Sequence, residues 1–128
     1  MLTVVAALIR RNGKILICQR APGQNHAGKW EFPGGKVESG ETAEGALERE
    51  LREELAIDAQ IGVEIERYTF TYAGKSPILL IFFDVLRYAG EPENQVFARI
   101  EWADPKDLPS YDFLEGDVDF VRRLASAP

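Results

Sequence analysis

The chain has little of several residue types that would widen its chemistry. It holds one cysteine, Cys18, and one histidine, His26. A single cysteine permits no internal disulfide, and its neighbours Leu16 and Ile17 mark it as a small core residue rather than a reactive thiol. His26 stands alone in a polar loop, where exposure rather than catalysis is expected. No apolar run approaches the ~20 residues a membrane span needs. The first eleven residues, MLTVVAALIRR, place the apolar stretch before the arginines, the reverse of a secretory signal, so they read as a first strand and the cytoplasm is the expected compartment. Basic residues are also in deficit: 15 against 21 acids give a net charge of −6. A protein without a basic stripe is a poor partner for polymeric nucleic acid. A small anionic ligand stays possible if cations mediate.

What remains is an ordinary globular composition, 45% hydrophobic and 28% charged over 128 residues. That length is read as one domain, residues 1–128, able to bury roughly two-thirds of its unfolded surface. Residues 4–9 and 14–19 are β-rich and flank Asn12-Gly13, a strong hairpin signal. Residues 21–29 form a polar loop, 62–71 and 78–88 two long strands, and 97–103 a last strand. Apolar residues at 114, 118, 121 and 124 have helical spacing. Repeats and low-complexity tracts are absent from the sequence. Strands first, one helix in the middle and one at the end predict an α+β fold with a mixed sheet between helices.

The acids are not spread evenly. Seven of them (Glu38, Glu41, Glu44, Glu48, Glu50, Glu53 and Glu54) fall within residues 38–54. A helix is expected over roughly 42–55, with Thr42 as N-cap and Ala43, Ala46, Leu47, Leu51 and Leu55 as its buried stripe. On that helix Glu50 meets Glu53 and Glu54 at spacings of three and four, where each like-charge pair costs on the order of 0.2–0.5 kcal/mol. No lysine or arginine follows any of the three at i+3 or i+4. At 100° per residue Glu50 and Glu54 overlap the edge of the apolar stripe, where the helix meets the protein. Carboxylates placed there without basic partners call for a cation, and hard divalent ions prefer carboxylate oxygens.

The same segment resembles the signature of the Nudix hydrolases. Gly35, Glu41, Arg49-Glu50, Leu51, Glu53-Glu54 and Ile57 fill its fixed places, and Ala56 stands where glycine is usual. Glycine there ends the helix at positive φ, so alanine suggests a different exit. The lead-in Trp30-Glu31-Phe32-Pro33-Gly34-Gly35 looks like the MutT branch, and weaker similarity covers nearly the whole chain. The resemblance implies an α/β/α sandwich, and it implies Glu50, Glu53 and Glu54 as metal ligands with the Gly35 carbonyl. Mg2+ is the implied cofactor, with Mn2+ as an alternative; Glu41 and Arg49 would form a supporting ion pair. Any of the three glutamates could serve as catalytic base. A further glutamate that many MutT-like members carry before the last strand falls at Val96, so it is missing or replaced by Glu91 or Glu93.

Arg20 matches a phosphate-contacting arginine, Phe32 a base-pocket position, and Asp117 a residue that hydrogen-bonds the base. Each also has a plainer reading: a solvated strand end, core packing, and a first-turn aspartate favoured by the helix dipole. The activity implied is hydrolysis of a nucleoside triphosphate to monophosphate and pyrophosphate, with 8-oxo-dGTP as leading substrate. A CTP-type pyrophosphatase and a non-catalytic ligand-binding domain are the alternatives. The partner is a small nucleotide, with neither membrane nor nucleic-acid polymer, and the assembly is left open between monomer and homodimer.

Overall fold

The computed structural model describes residues 1–127. The elements in chain order are β1 (Leu2–Leu8), β2 (Arg10–Arg11), β3 (Lys14–Gln19), β4 (Trp30–Glu31), β5 (Gly34–Lys36), α1 (Ala43–Leu55), β6 (Asp58–Phe70), β7 (Ile78–Ala89), β8 (Arg99–Ala103) and α2 (Val118–Ser126). A mixed sheet runs β5-β1-β7-β6, with β1 and β7 parallel from Leu2↔Ile78 to Leu8↔Asp84. A second, antiparallel sheet joins β2, β3 and β4, and β8 pairs along β3. The Asn12-Gly13 turn closes β2 onto β3 with φ of 52° and 79°, the two positive values a tight hairpin needs.

Strand alternation divides the core between the two helices. Val5, Ala7, Ile9, Leu16, Cys18, Ile81 and Phe83 pack with Ala46, Leu47, Leu51 and Leu55 of α1. Their immediate neighbours Ala6, Leu8, Ile15, Ile17, Leu80 and Phe82 pack with Phe120 and Val121 of α2. Strands apolar on both faces must be covered on both faces. The mixed sheet between helices expected from the element order is therefore present, and Cys18 is fully buried.

Three features differ from the sequence expectation. The strands β4 and β5 are two and three residues long, too short for any periodicity to register. β6 begins at Asp58, because irregular pairing with β7 prolongs it through register shifts between Gln60 and Glu66. The last helix starts only at Val118, preceded by a 3-10 turn at Glu115–Asp117.

Helix α1 starts where expected, with Thr42 Oγ1 accepting from the Gly45 N–H at 3.0 Å. Its exit corrects the expectation for Ala56. This residue sits at φ 57°, ψ 35°, and its N–H donates to the Arg52 carbonyl at 3.1 Å. The left-handed exit is retained, and alanine is forced into it, since the chain must turn at once to bury Ile57. A non-glycine residue in that conformation costs about 1–2 kcal/mol, partly recovered through alanine's stiffer unfolded chain. Ala56→Gly should therefore raise stability by roughly 1 kcal/mol in urea denaturation with an unchanged m-value. Equal or lower stability would show that the exit carries no strain.

Candidate active site

The glutamates of α1 meet one cation in particular, Arg49, placed among them on the same helix. Its Nε donates to Glu41 at 2.7 Å, Nη1 to Glu50 at 2.7 Å and to Glu53 at 3.3 Å, and Nη2 to the Lys36 carbonyl at 3.1 Å. Glu38 completes the ring at 3.3 Å. The expectation of carboxylates without basic partners is thus corrected for Glu50 and Glu53, whose partner precedes them in sequence by one and four residues. The expected Glu41–Arg49 pair is present, and hydrogen bonds from Arg49 hold the Glu41 carboxyl down at about 2.

Glu54 is different. Its carboxylate accepts from the Gly34 N–H at 3.0 Å and has no cationic partner among the described residues. Burial, then the charges of Glu50 and Glu31, push it well above the usual carboxylate range. The pairing of β5 with β1, Val5 opposite Gly35, brings the glycine pair against α1. Gly35 lies so close to Glu50 that a Cβ there would fall 2.2 Å from Oε2. Among the described residues no three histidine, cysteine or acidic side chains stand ready-made around a metal position. The donor chemistry nonetheless suits a hard cation: all-oxygen, mutually repelling, with Glu53 60% exposed and free to reorient.

Glu54 and Gly35 line a cavity of about 270 Å³ together with Arg20, Glu31, Phe32, Val96 and Asp117. Antiparallel pairing of β3 and β4, Cys18 opposite Glu31, sets Arg20 beside Glu31, which it binds at 2.9 Å. Arg20 Nε donates to the Asn25 carbonyl at 2.6 Å. Glu31 was not singled out from the sequence, although the Trp30-to-Gly35 lead-in contains it. Burial raises its pKa, Arg20 lowers it, and Glu50 raises it further. The only signal available was a glutamate one residue from a buried aromatic on each side.

Asp117 is the one charged residue among those described that is buried, at 7% exposure. It occupies the N-cap position of α2 but makes no side-chain cap hydrogen bond, so it does not serve the helix start. Burial pushes its carboxyl up to about 8; Glu31 adds to this and the Phe32 N–H opposes it. Phe32 lines the cavity and packs against Phe113 and Phe120 at 5.2 and 5.7 Å between ring centroids. His26 is exposed as expected, yet it lines the cavity and lies 5.2 Å from the Tyr72 ring.

The loop before β8 is tied to the end of α1 by Glu93 N–H to the Leu55 carbonyl, 2.8 Å, and Gln95 N–H to the Glu54 carbonyl, 3.0 Å. This sets Val96 in the cavity wall. The substitute glutamates are not found there: Glu91 is bound by Arg11 at 2.7 Å, and neither it nor Glu93 lines the cavity.

A carboxylate-edged helix thus lies against a glycine-bearing strand, in a mixed sheet flanked by two helices. The NUDIX domain family matches residues 1–124, and the chain belongs to that family, in its MutT-like branch. It is 38% identical over 121 residues to the CTP pyrophosphohydrolase of Escherichia coli K12, covering 94% of this chain and 89% of that one. It is 38% identical over 125 residues to the 8-oxo-dGTP diphosphatase of Haemophilus influenzae, covering 97% and 91%. The crystal structure of the MutT protein from Methanosarcina mazei Go1 superposes with a TM-score of 0.86 at 25% identity, covering 96% and 91%. The protein is accordingly a Nudix hydrolase acting on phosphoric anhydride bonds, a class that in general needs divalent metal ions. No helix among the described residues is long and apolar enough to cross a membrane.

The buried Asp117 has a consequence for stability. Its folded pKa of about 8 lies above the ordinary 3.8, so between those values the folded state holds a proton that the unfolded state has released. The stability it contributes is complete below about pH 4 and falls as pH rises to about 8. Asp117→Asn removes that dependence. Its Tm relative to wild type should climb between pH 4 and 8 and level off above; a constant difference would show an ordinary, solvated carboxylate.

Proposed function

We propose that this enzyme hydrolyses nucleoside triphosphates to the monophosphate and pyrophosphate, with 8-oxo-dGTP as leading substrate. One observation carries the reading: a buried aspartate that serves no helix cap faces the same cavity as Arg20 and Glu54. The Asp117 carboxyl takes the Phe32 N–H, and its remaining acceptor capacity is open to donors that enter the cavity. The N1–H and 2-amino groups of a guanine edge supply two donors to the Asp117 carboxylate. Phe32 provides an apolar wall for the base, and the unengaged donors of Arg20 are available to the phosphates.

At the other end, Glu50, Glu53, Glu54 and the Gly35 carbonyl would hold Mg2+, with Mn2+ able to replace it. A divalent cation held by these residues would supply charge neutralisation of the anhydride and a more acidic water. The chain's own contribution is to fix the donors: Arg49 orients Glu50, which packs against Gly35, and the Gly34 N–H orients Glu54, which lines the cavity. Burial, and after it the charges of Glu50 and Glu31, raise Glu54, and a cation held there would offset that repulsion.

A cytidine nucleotide is the second reading, favoured by the same aspartate. With a pKa of about 8, Asp117 is largely a neutral acid near neutrality, able to accept from the cytosine 4-amino group while donating to N3. The likeness to the Escherichia coli CTP pyrophosphohydrolase supports it.

Pyrophosphate release with magnesium from 8-oxo-dGTP, dGTP and CTP separates the readings. Asp117→Ala should lower kcat/KM for the preferred nucleotide by roughly ten- to a hundredfold and flatten the preference among bases. An equal loss on all three would reduce Asp117 to a structural role. Glu53→Gln should retain the fold and lose at least about a hundredfold in kcat, as loss of a metal ligand implies. Millimolar Mg2+ should raise the wild-type Tm relative to chelator, because binding favours only the folded state. Turnover by Glu53→Gln within tenfold of wild type would overturn the metal assignment.

A further inference from the structure

The Asp117 side chain makes no cap hydrogen bond to α2; its turn is held by the Asp117 N–H to the Leu114 carbonyl, 2.9 Å, by the Leu114 N–H to the Trp30 carbonyl, 2.9 Å, and by contacts to the residue before it. The residue before it is Gly116, and both polar groups of that residue are taken by tyrosines more than forty positions away. The Tyr68 hydroxyl donates to the Gly116 carbonyl at 2.6 Å, and the Tyr72 hydroxyl accepts from the Gly116 N–H at 3.1 Å. Glycine is required for this approach: a Cβ at 116 would fall 2.8 Å from the Tyr72 hydroxyl and 3.2 Å from Leu80 Cδ1. Tyr68 is anchored in turn, its ring 5.7 Å from Phe82 and beneath the Arg123 guanidinium of α2 at 5.6 Å. Arg123 also pairs with Glu66 of β6.

We propose that Tyr68 and Tyr72 form a clamp on Gly116 that positions the Asp117 carboxyl in the cavity, so that selectivity among bases depends on two hydroxyls at the end of β6. Tyr68 does not line the cavity and is a positioning residue, acting through Asp117; Tyr72 lines the cavity and also holds the turn. The clamp rests on the reading of Asp117 as the base acceptor. Two hydrogen bonds from one strand end fix both the depth and the rotation of a single peptide unit, and the adjoining side chain inherits that orientation. A shift of the turn would leave Asp117 buried yet misaligned with a base edge, which a helix cap would have prevented.

The test is Tyr68→Phe, which removes the donor and keeps the ring. With magnesium and the same three nucleotides, kcat/KM for the preferred one should fall about three- to tenfold, the worth of one hydrogen bond. The loss should appear in KM, with turnover of the poor nucleotides unchanged. In an Asp117→Ala background the same substitution should have no further effect on kcat/KM. Tyr72→Phe, assayed in parallel, removes the acceptor from the other side and should flatten the preference likewise, which covers the case of a Tyr68 variant that does not fold. A Tyr68→Phe enzyme that keeps full base preference while Asp117→Ala loses it overturns the clamp alone. So does a loss that is equal on all nucleotides or additive with Asp117→Ala. Unchanged preference in Asp117→Ala itself would overturn the base-acceptor reading and the clamp with it.

Discussion

The guanidinium of Arg49 joins the loop between β5 and α1, the end of β5 and the acidic face of α1 at one point. It reaches Glu41 and Glu38 in the loop, the Lys36 carbonyl at the end of β5, and Glu50 and Glu53 on its own helix. A planar fork of five donors can serve that many acceptors at once; an ammonium on a flexible stem cannot. Remove the fork and the glutamates repel one another, the loop loses its tie to the helix, and β5 is free to shift against α1. The pairing of β5 with β1 sets Gly34 and Gly35 beside Glu54 and Glu50, and the Arg49 contact to the Lys36 carbonyl ties the end of that strand to α1.

Around that hub the molecule tolerates one buried and two half-buried acids whose charged forms burial disfavours. Glu54, Glu31 and Asp117 all line one cavity, and burial raises the pKa of each. Only Glu31 has a cation, Arg20, within hydrogen-bond reach. Perturbed acids gathered in one cleft are the usual mark of a site kept for binding rather than for stability. The lining comes from two sides: Glu54 is supplied by α1, whereas Asp117 directly precedes α2 and Phe32 packs in the α2-side core. A nucleotide is a ligand with the same division, an anionic chain at one end and a flat hydrogen-bonding base at the other.

Val96 and Ala56 show how a signature position can change without disturbing its surroundings. Ala56 keeps the left-handed exit that the chain's route to Ile57 imposes. Val96 presents an apolar side chain to the cavity from a loop held by Asn94, whose side chain accepts from the Phe97 N–H at 2.7 Å. In both cases backbone hydrogen bonds set the path, and the side chain is free to vary along it.

Periodicity and spacing determined what lies close in sequence: the β2–β3 hairpin at Asn12-Gly13, the cap and buried stripe of α1, the order of strands and helices, and the acids at 50, 53 and 54. These depend on contacts within about four residues or on repeats of 2 and 3.6, which a linear string preserves. What lies far apart was decided only by tertiary structure. Arg20 meets Glu31 because β3 pairs with β4, and Gly116 meets Tyr68 and Tyr72 because β6 passes the turn before α2. The direction in which Arg49 points, and the burial that turns Asp117 from a helix-start residue into a cavity-facing acid, likewise have no local signature. Burial and long-range pairing depend on how the elements pack against one another, and a linear pattern records only which face each element must hide.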